Sequence, residues 1–186
     1  MDVVSITEYI ESTFADIHIV TAWGETSFFY NPNRNLPRGI YFATIKEKNG
    51  PNDRASNLDR SDVFRLNIGI SKLTYRSLFG QQPSRPQAGG VIDTGHDFAA
   101  LDQLLPHPVY GWMSWVAVLN PSATTFEDVK PLLSEAYRGG RAKLNTAISG
   151  KAAPLGEDRA RVLRSTEDEQ TTPPEPLTGI QGQGGH

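Results

Sequence analysis

Trp115-Val116-Ala117-Val118-Leu119 is the most continuous apolar run in the chain, and Asn120-Pro121 closes it. Five β-branched, aliphatic and aromatic residues suit a buried central strand better than a helix. The segment leading into it, from Leu104, holds His107 between two prolines and then Tyr110 and Trp112. Those residue types predict a rigid, ordered approach to the strand.

The rest of the chain supplies elements to pack around that strand. Ser5-Ile6-Thr7-Glu8 has the form of a capping box. Ile6, Tyr9, Ile10 and Phe14 follow at helical spacing. Strands are expected at 17–21, 27–30 and 40–45, joined as an antiparallel meander with a turn at 23–26. Residues 46–62 are polar and broken by Gly50-Pro51 and Asn52-Asp53, which reads as a long surface loop. Residues 63–70 alternate: Phe64, Leu66, Ile68 and Ile70 share one face, and Arg65, Asn67 and Gly69 the other. That pattern predicts a half-buried strand with an open polar face. Ser71 can cap a helix whose apolar positions are Leu73, Tyr75, Leu78 and Phe79, stopped by Gly80. Residues 81–95 should be mobile, and 96–105 should form a short helical turn. A last helix uses Phe126, Val129, Leu132, Leu133, Ala136 and Tyr137, with Pro131 either kinking it or starting it and Gly139-Gly140 ending it. The order describes an α+β domain over 1–145, with helices on one face of a largely antiparallel sheet. From 146 to 186 the composition turns to Gly, Pro, Thr, Gln and Glu, and a disordered tail is expected.

With no cysteine in the chain, disulfides, thiolate metal sites and a thiol nucleophile are excluded. No apolar run approaches the roughly 18 residues of a membrane span, and the N-terminus lacks the basic start of a signal peptide. A soluble, cytoplasmic protein without a membrane partner is therefore expected. The net charge of −3 hides a segregation. Residues 31–90 carry ten Lys or Arg against four acids, whereas 1–30 carry five acids and no Lys or Arg. A basic middle is either solvated loop charge or a patch for an anionic partner.

The segments Val63–Gly69, Leu104–Tyr110, Trp115–Pro121 and Phe126–Tyr137, taken in that order, resemble a bacterial family of unknown function. The same order of strand, helix, Pro-His entry, Trp-Val strand and final helix is similar to the YjbR/MmcQ proteins. That resemblance implies a CyaY-like α+β fold and a DNA-binding role. The chain departs from the pattern in its loops 46–62 and 80–95 and in having no strongly basic wing.

Three functional readings follow. In one, the chain is a non-catalytic module that binds a small molecule or a protein partner through Arg65, Asn67, His107, Tyr110 and Trp115. Arg65 could grip a carboxylate or phosphate at two points, and His107, Tyr110, Trp112 and Trp115 could wall a pocket. In the second, Lys46, Lys48, Arg54 and Arg60 on a wing-like loop contact nucleic-acid phosphates. In the third, His107 works as an acid–base group with Asp97 or Asp102. His96, Asp97, Asp102 and His107 lie close in sequence but lack a standard metal spacing, and Asp97 is better placed to cap the following turn. No nucleophile elbow, dinucleotide fingerprint or Walker sequence is present, so no cofactor is implied.

Overall fold

The structure is a computed structural model and describes residues 1–34, 36–37 and 39–152. Its elements follow as α1 (Val3–Thr13), β1 (Ile17–Ala22), β2 (Glu25–Tyr30), β3 (Ile40–Lys46), β4 (Arg65–Gly69), α2 (Lys72–Phe79), β5 (Leu104–Pro106), β6 (Trp115–Leu119) and α3 (Ala123–Ala152). The six strands form one sheet in the order β1-β2-β3-β4-β6-β5, and every neighbouring pair is antiparallel. The apolar run is thus an interior strand, with Ala117 opposite Asn67 of β4 on one side and Leu105 of β5 on the other.

One face of the sheet meets the helices. Leu66, Ile68, Val116 and Val118 pack there with Ile6, Ile10 and Phe14 of α1 and its C-cap, and with Phe126, Val129, Leu133 and Ala136 of α3. Each of the larger apolar side chains contributes about 1.5–3 kcal/mol on burial. A one-residue slip of β4 would carry its whole apolar set to the other face, so the packing fixes the register. The architecture is α+β, as the element order implies.

Several local expectations are corrected. Asp2, not Ser5, caps α1: its side chain accepts the Ser5 N–H at 2.7 Å, because the helix begins three residues earlier, at Val3. On α2 the capping by Ser71 holds, but Tyr75 is the buried residue, while Leu73 is 80% exposed. No helical turn forms at 96–105; Leu104–Pro106 instead pairs with β6 as an edge strand. Loop 81–95 is tied down at Gln82, which donates to Ser114 Oγ at 2.6 Å, and at Ile92, whose N–H donates to the Pro108 carbonyl at 2.8 Å. Helix α3 runs through both Pro131 and Gly139-Gly140. It continues because Leu144, fully buried, extends the apolar face beyond the glycines. Residues 146–152, expected to open the tail, belong to α3, and 153–186 lie outside the described residues.

One irregularity shapes the other face. Phe28 of β2 lies opposite Ala43, but the next residue, Phe29, lies opposite Tyr41. Phe42 is therefore an extra residue on β3, a β-bulge. Phe42 and Ala43 are both buried, Phe42 against Phe14 and Tyr137, and the phase of β3 is reversed beyond them. Tyr41 consequently shares a face with Thr44 and Lys46, which a regular strand would deny it.

Gly69 also matters on that face. A Cβ built there would lie 2.9 Å from the indole of Trp115, its partner on β6. Gly69→Ala is expected to lower stability by about 1–3 kcal/mol through overpacking. Gly139→Ala, on an exposed helical turn where a Cβ meets nothing within 4 Å, is expected to raise it by about 0.5–1 kcal/mol. Urea unfolding of the two variants beside the parent checks both signs.

Candidate functional site

The alternation of β4 puts Arg65 and Asn67 on the face away from the helices, as expected, but that face is not open. Arg65 has no exposed surface and Asn67 almost none. The covering comes from the polar loop after β3, which is an ordered lid. Asn49 bonds both oxygens of Asp59 and accepts the Leu58 N–H, and Gly50 and Asp53 pair through their backbones. Arg60 donates to the carbonyls of Ser56, Asn57 and Ala99. Leu58 and Ser56 are buried beneath the lid.

A buried guanidinium needs partners for five N–H groups. Asp53 takes two of them end-on, at 3.0 Å from Nη1 and 2.5 Å from Nη2. Ser56 Oγ takes a third at 2.7 Å, and Asn67 Oδ1 takes Nε–H at 2.7 Å. Asn67 in turn donates to Thr44 Oγ1 at 2.9 Å. The two-point carboxylate that Arg65 was expected to hold is supplied by the chain itself. The fifth N–H, on Nη2, faces His107 Nε2 at 3.2 Å.

His107 is held by the turn that follows it. The backbone N–H groups of Val109 and Tyr110 both donate to its Nδ1, each at 3.1 Å. Backbone donors cannot reverse, so Nδ1 is the lone-pair nitrogen and the proton of the neutral ring sits on Nε2. Burial, together with the charges of Arg65 and Lys46, holds the His107 pKa well below its ordinary value. Nε2–H and the Arg65 Nη2–H therefore stand side by side as two donors without an acceptor between them.

These groups floor a cavity of about 580 Å³, which lies within the usual range for small-molecule sites. Arg65, Asn67, His107, Tyr110 and Trp115, the five residues expected from the sequence, all line it. Glu25, Phe29, Tyr41, Thr44, Lys46 and Asp53 join them. Tyr41 stacks on Trp115 with ring centres 5.1 Å apart and planes 28° apart. Burial first, then the neighbouring Tyr110 and Glu25, raises the Tyr41 pKa, so its hydroxyl stays protonated at neutral pH. The expected wall loses one member: Trp112 turns away under Arg85, which lies 5.0 Å from its ring centre. Sequence reasoning missed Tyr41, whose place depends on the bulge, and Asp53, whose place depends on how the lid lands.

The other candidate groupings are dispersed. Asp97 closes a local turn by accepting the Ala99 N–H, Asp102 accepts the distant Ser122 N–H just ahead of α3, and His107 pairs with neither. Among the described residues no cluster of His and acidic side chains could hold a metal ion. Of the basic set, Lys46 is paired with Glu25 at 2.9 Å and Arg60 is engaged by the three carbonyls, which leaves Lys48 and Arg54 exposed on the lid. No helix among the described residues is long and apolar enough to cross a membrane.

Residues 1–148 match the model of a family of unknown function, DUF6194. That match names neither a relation to YjbR/MmcQ proteins nor a bacterial source. No curated protein and no solved structure matches the chain.

Two measurements probe the floor. Asp53→Ala leaves the Arg65 charge buried without its counter-ion, and an unfolding free energy lower by about 3–5 kcal/mol is expected from denaturant curves. Adding Arg65→Met recovers part of that loss, because the uncompensated charge is gone. The depressed His107 pKa makes the unfolded chain take up the proton first as pH falls. Its contribution is full above about 6.5 and declines as pH drops from there toward the folded value, by up to about 1.4 kcal/mol per pH unit. His107→Asn, whose carbonyl can accept the same two N–H groups, is expected to lose that slope between pH 7.5 and 5.

Proposed function

Because the chain belongs to DUF6194, a family of unknown function, we propose its role from the cavity itself: it binds a small molecule in the space between the sheet and the lid. The observation that carries this reading is the meeting of His107 Nε2 and Arg65 Nη2 at 3.2 Å on a buried floor, where Nδ1 already accepts two backbone N–H groups and leaves both facing nitrogens as donors. Buried donors without an acceptor are costly, by about 1–3 kcal/mol each. An oxygen acceptor on a ligand satisfies both, and the aromatic walls offer contact area around it. No reaction is assigned, since, among the described residues, the two carboxylates that line the cavity, Asp53 and Glu25, are bound to Arg65 and Lys46 and not to His107.

The nucleic-acid reading that follows from similarity to YjbR/MmcQ proteins has a weaker physical basis. Only Lys48 and Arg54 of the four basic residues are exposed and free of a hydrogen-bonded partner in the lid. Both surround Asp59, which also offsets their charge.

A fragment screen followed by NMR tests the proposal. Oxygen-bearing hits are expected to move the His107 ring signals. His107→Asn retains the turn and lacks the Nε2–H, and is expected to weaken those hits about tenfold, the worth of one buried hydrogen bond. Hits that bind equally well to His107→Asn, or a salt-sensitive shift with duplex DNA that needs Lys48 and Arg54, would replace this reading.

A further inference from the structure

We infer that the ligand of this cavity is a neutral planar ring carrying a carbonyl oxygen, an aromatic or heteroaromatic amide in chemical class, with the ring against Tyr41 and the oxygen on the donors of His107 and Arg65. This inference rests on the binding role proposed above and adds the chemistry of what binds.

Charge sets the first limit. Among the described residues, the charged side chains that line the cavity are Glu25, Lys46, Asp53 and Arg65, two of each sign. They are already matched, Lys46 with Glu25 and Arg65 with Asp53. An anion brought to the Arg65 donors would sit beside the Asp53 carboxylate with no free cation among the described lining residues to offset it, and a like charge at that range is unfavourable. A neutral carbonyl oxygen takes the same two N–H groups without that repulsion. Its two lone pairs match two donors.

Shape sets the second. Tyr41 is half exposed while its ring is braced from behind by Trp115, and Phe29 stands 5.9 Å away at a tilt of 55°. Tyr110, also half exposed, lies beside His107 with ring centres 5.0 Å apart and planes at 48°. A braced aromatic face with a free side is a stacking platform, and offset stacking favours a flat ring over a puckered one. The bulge at Phe42 sends that side chain into the helical core and, by reversing the phase of β3 beyond it, turns Tyr41 toward this space.

The experiment uses the full chain and four probes: benzamide, benzoate, cyclohexanecarboxamide and inorganic phosphate, each titrated to about 20 mM, a range suited to millimolar fragments. The His107 ring and the Trp115 indole N–H are followed by NMR. Benzamide is expected to move both signals saturably, with benzoate and cyclohexanecarboxamide at least about threefold weaker, and Tyr41→Leu is expected to weaken benzamide about three- to tenfold. Benzoate or phosphate binding as tightly as benzamide overturns the neutral-ligand inference. Cyclohexanecarboxamide binding as tightly overturns the stacking inference. In either case the moving His107 signal still supports a ligand-binding cavity. Silence of both signals to all four probes overturns the inference and the binding role together.

Discussion

A guanidinium with no exposed surface stands at the middle of the sheet, and the face away from the helices is arranged around it. Arg65 has to be buried because β4 is an interior strand: Leu66 and Ile68 hold its register on the helical face, and the alternation forces Arg65 to the other. A charge in that position is tolerable only with a counter-ion and a full set of acceptors. Asp53, Ser56 and Asn67 provide them, and two of the three come from the lid. The long polar loop is therefore fixed by the residue it covers. Its internal bonds between Asn49, Leu58 and Asp59 keep it in the shape that delivers Asp53.

The same constraint produces the unsatisfied end of the site. Four of the five Arg65 N–H groups find oxygen, and the fifth finds a histidine nitrogen whose lone pair is elsewhere. The turn after His107 takes up Nδ1, so the ring cannot rotate its acceptor toward Arg65 without leaving the Val109 and Tyr110 N–H groups unpaired. Structural networks of this depth normally close on themselves. This one ends at a cavity.

Much of the fold was legible because hydrophobic periodicity reports it directly. The interior strand at Trp115–Leu119, the alternation about Arg65, the cap at Ser71 and the inner face of α3 from Phe126 to Tyr137 all follow from local chemistry. Misreadings fell where a local signal met a tertiary one. Gly139-Gly140 has the form of a helix stop, yet the helix continues because Leu144 finds a fully buried place one turn on. Leu104 to Pro106 is too short to read as a strand, and exists as one only because β6 offers an unpaired edge. Of the site, the five expected residues do meet in one cavity, since alternation and the rigid Pro-His-Pro approach position them.

What the sequence determined by itself is which residues face together along each strand and each helix, since that depends on periods of two and 3.6 residues and on nothing distant. It determined the α+β class and the gathering of Arg65 and Asn67 on one side of β4. Tertiary structure alone decided that this side is covered, that Asp53 is the counter-ion, and that Tyr41 belongs to the wall. Those outcomes depend on where a loop lands and on one residue out of phase at Phe42. Neither leaves a periodic trace, because each is settled by contacts between segments far apart in the chain.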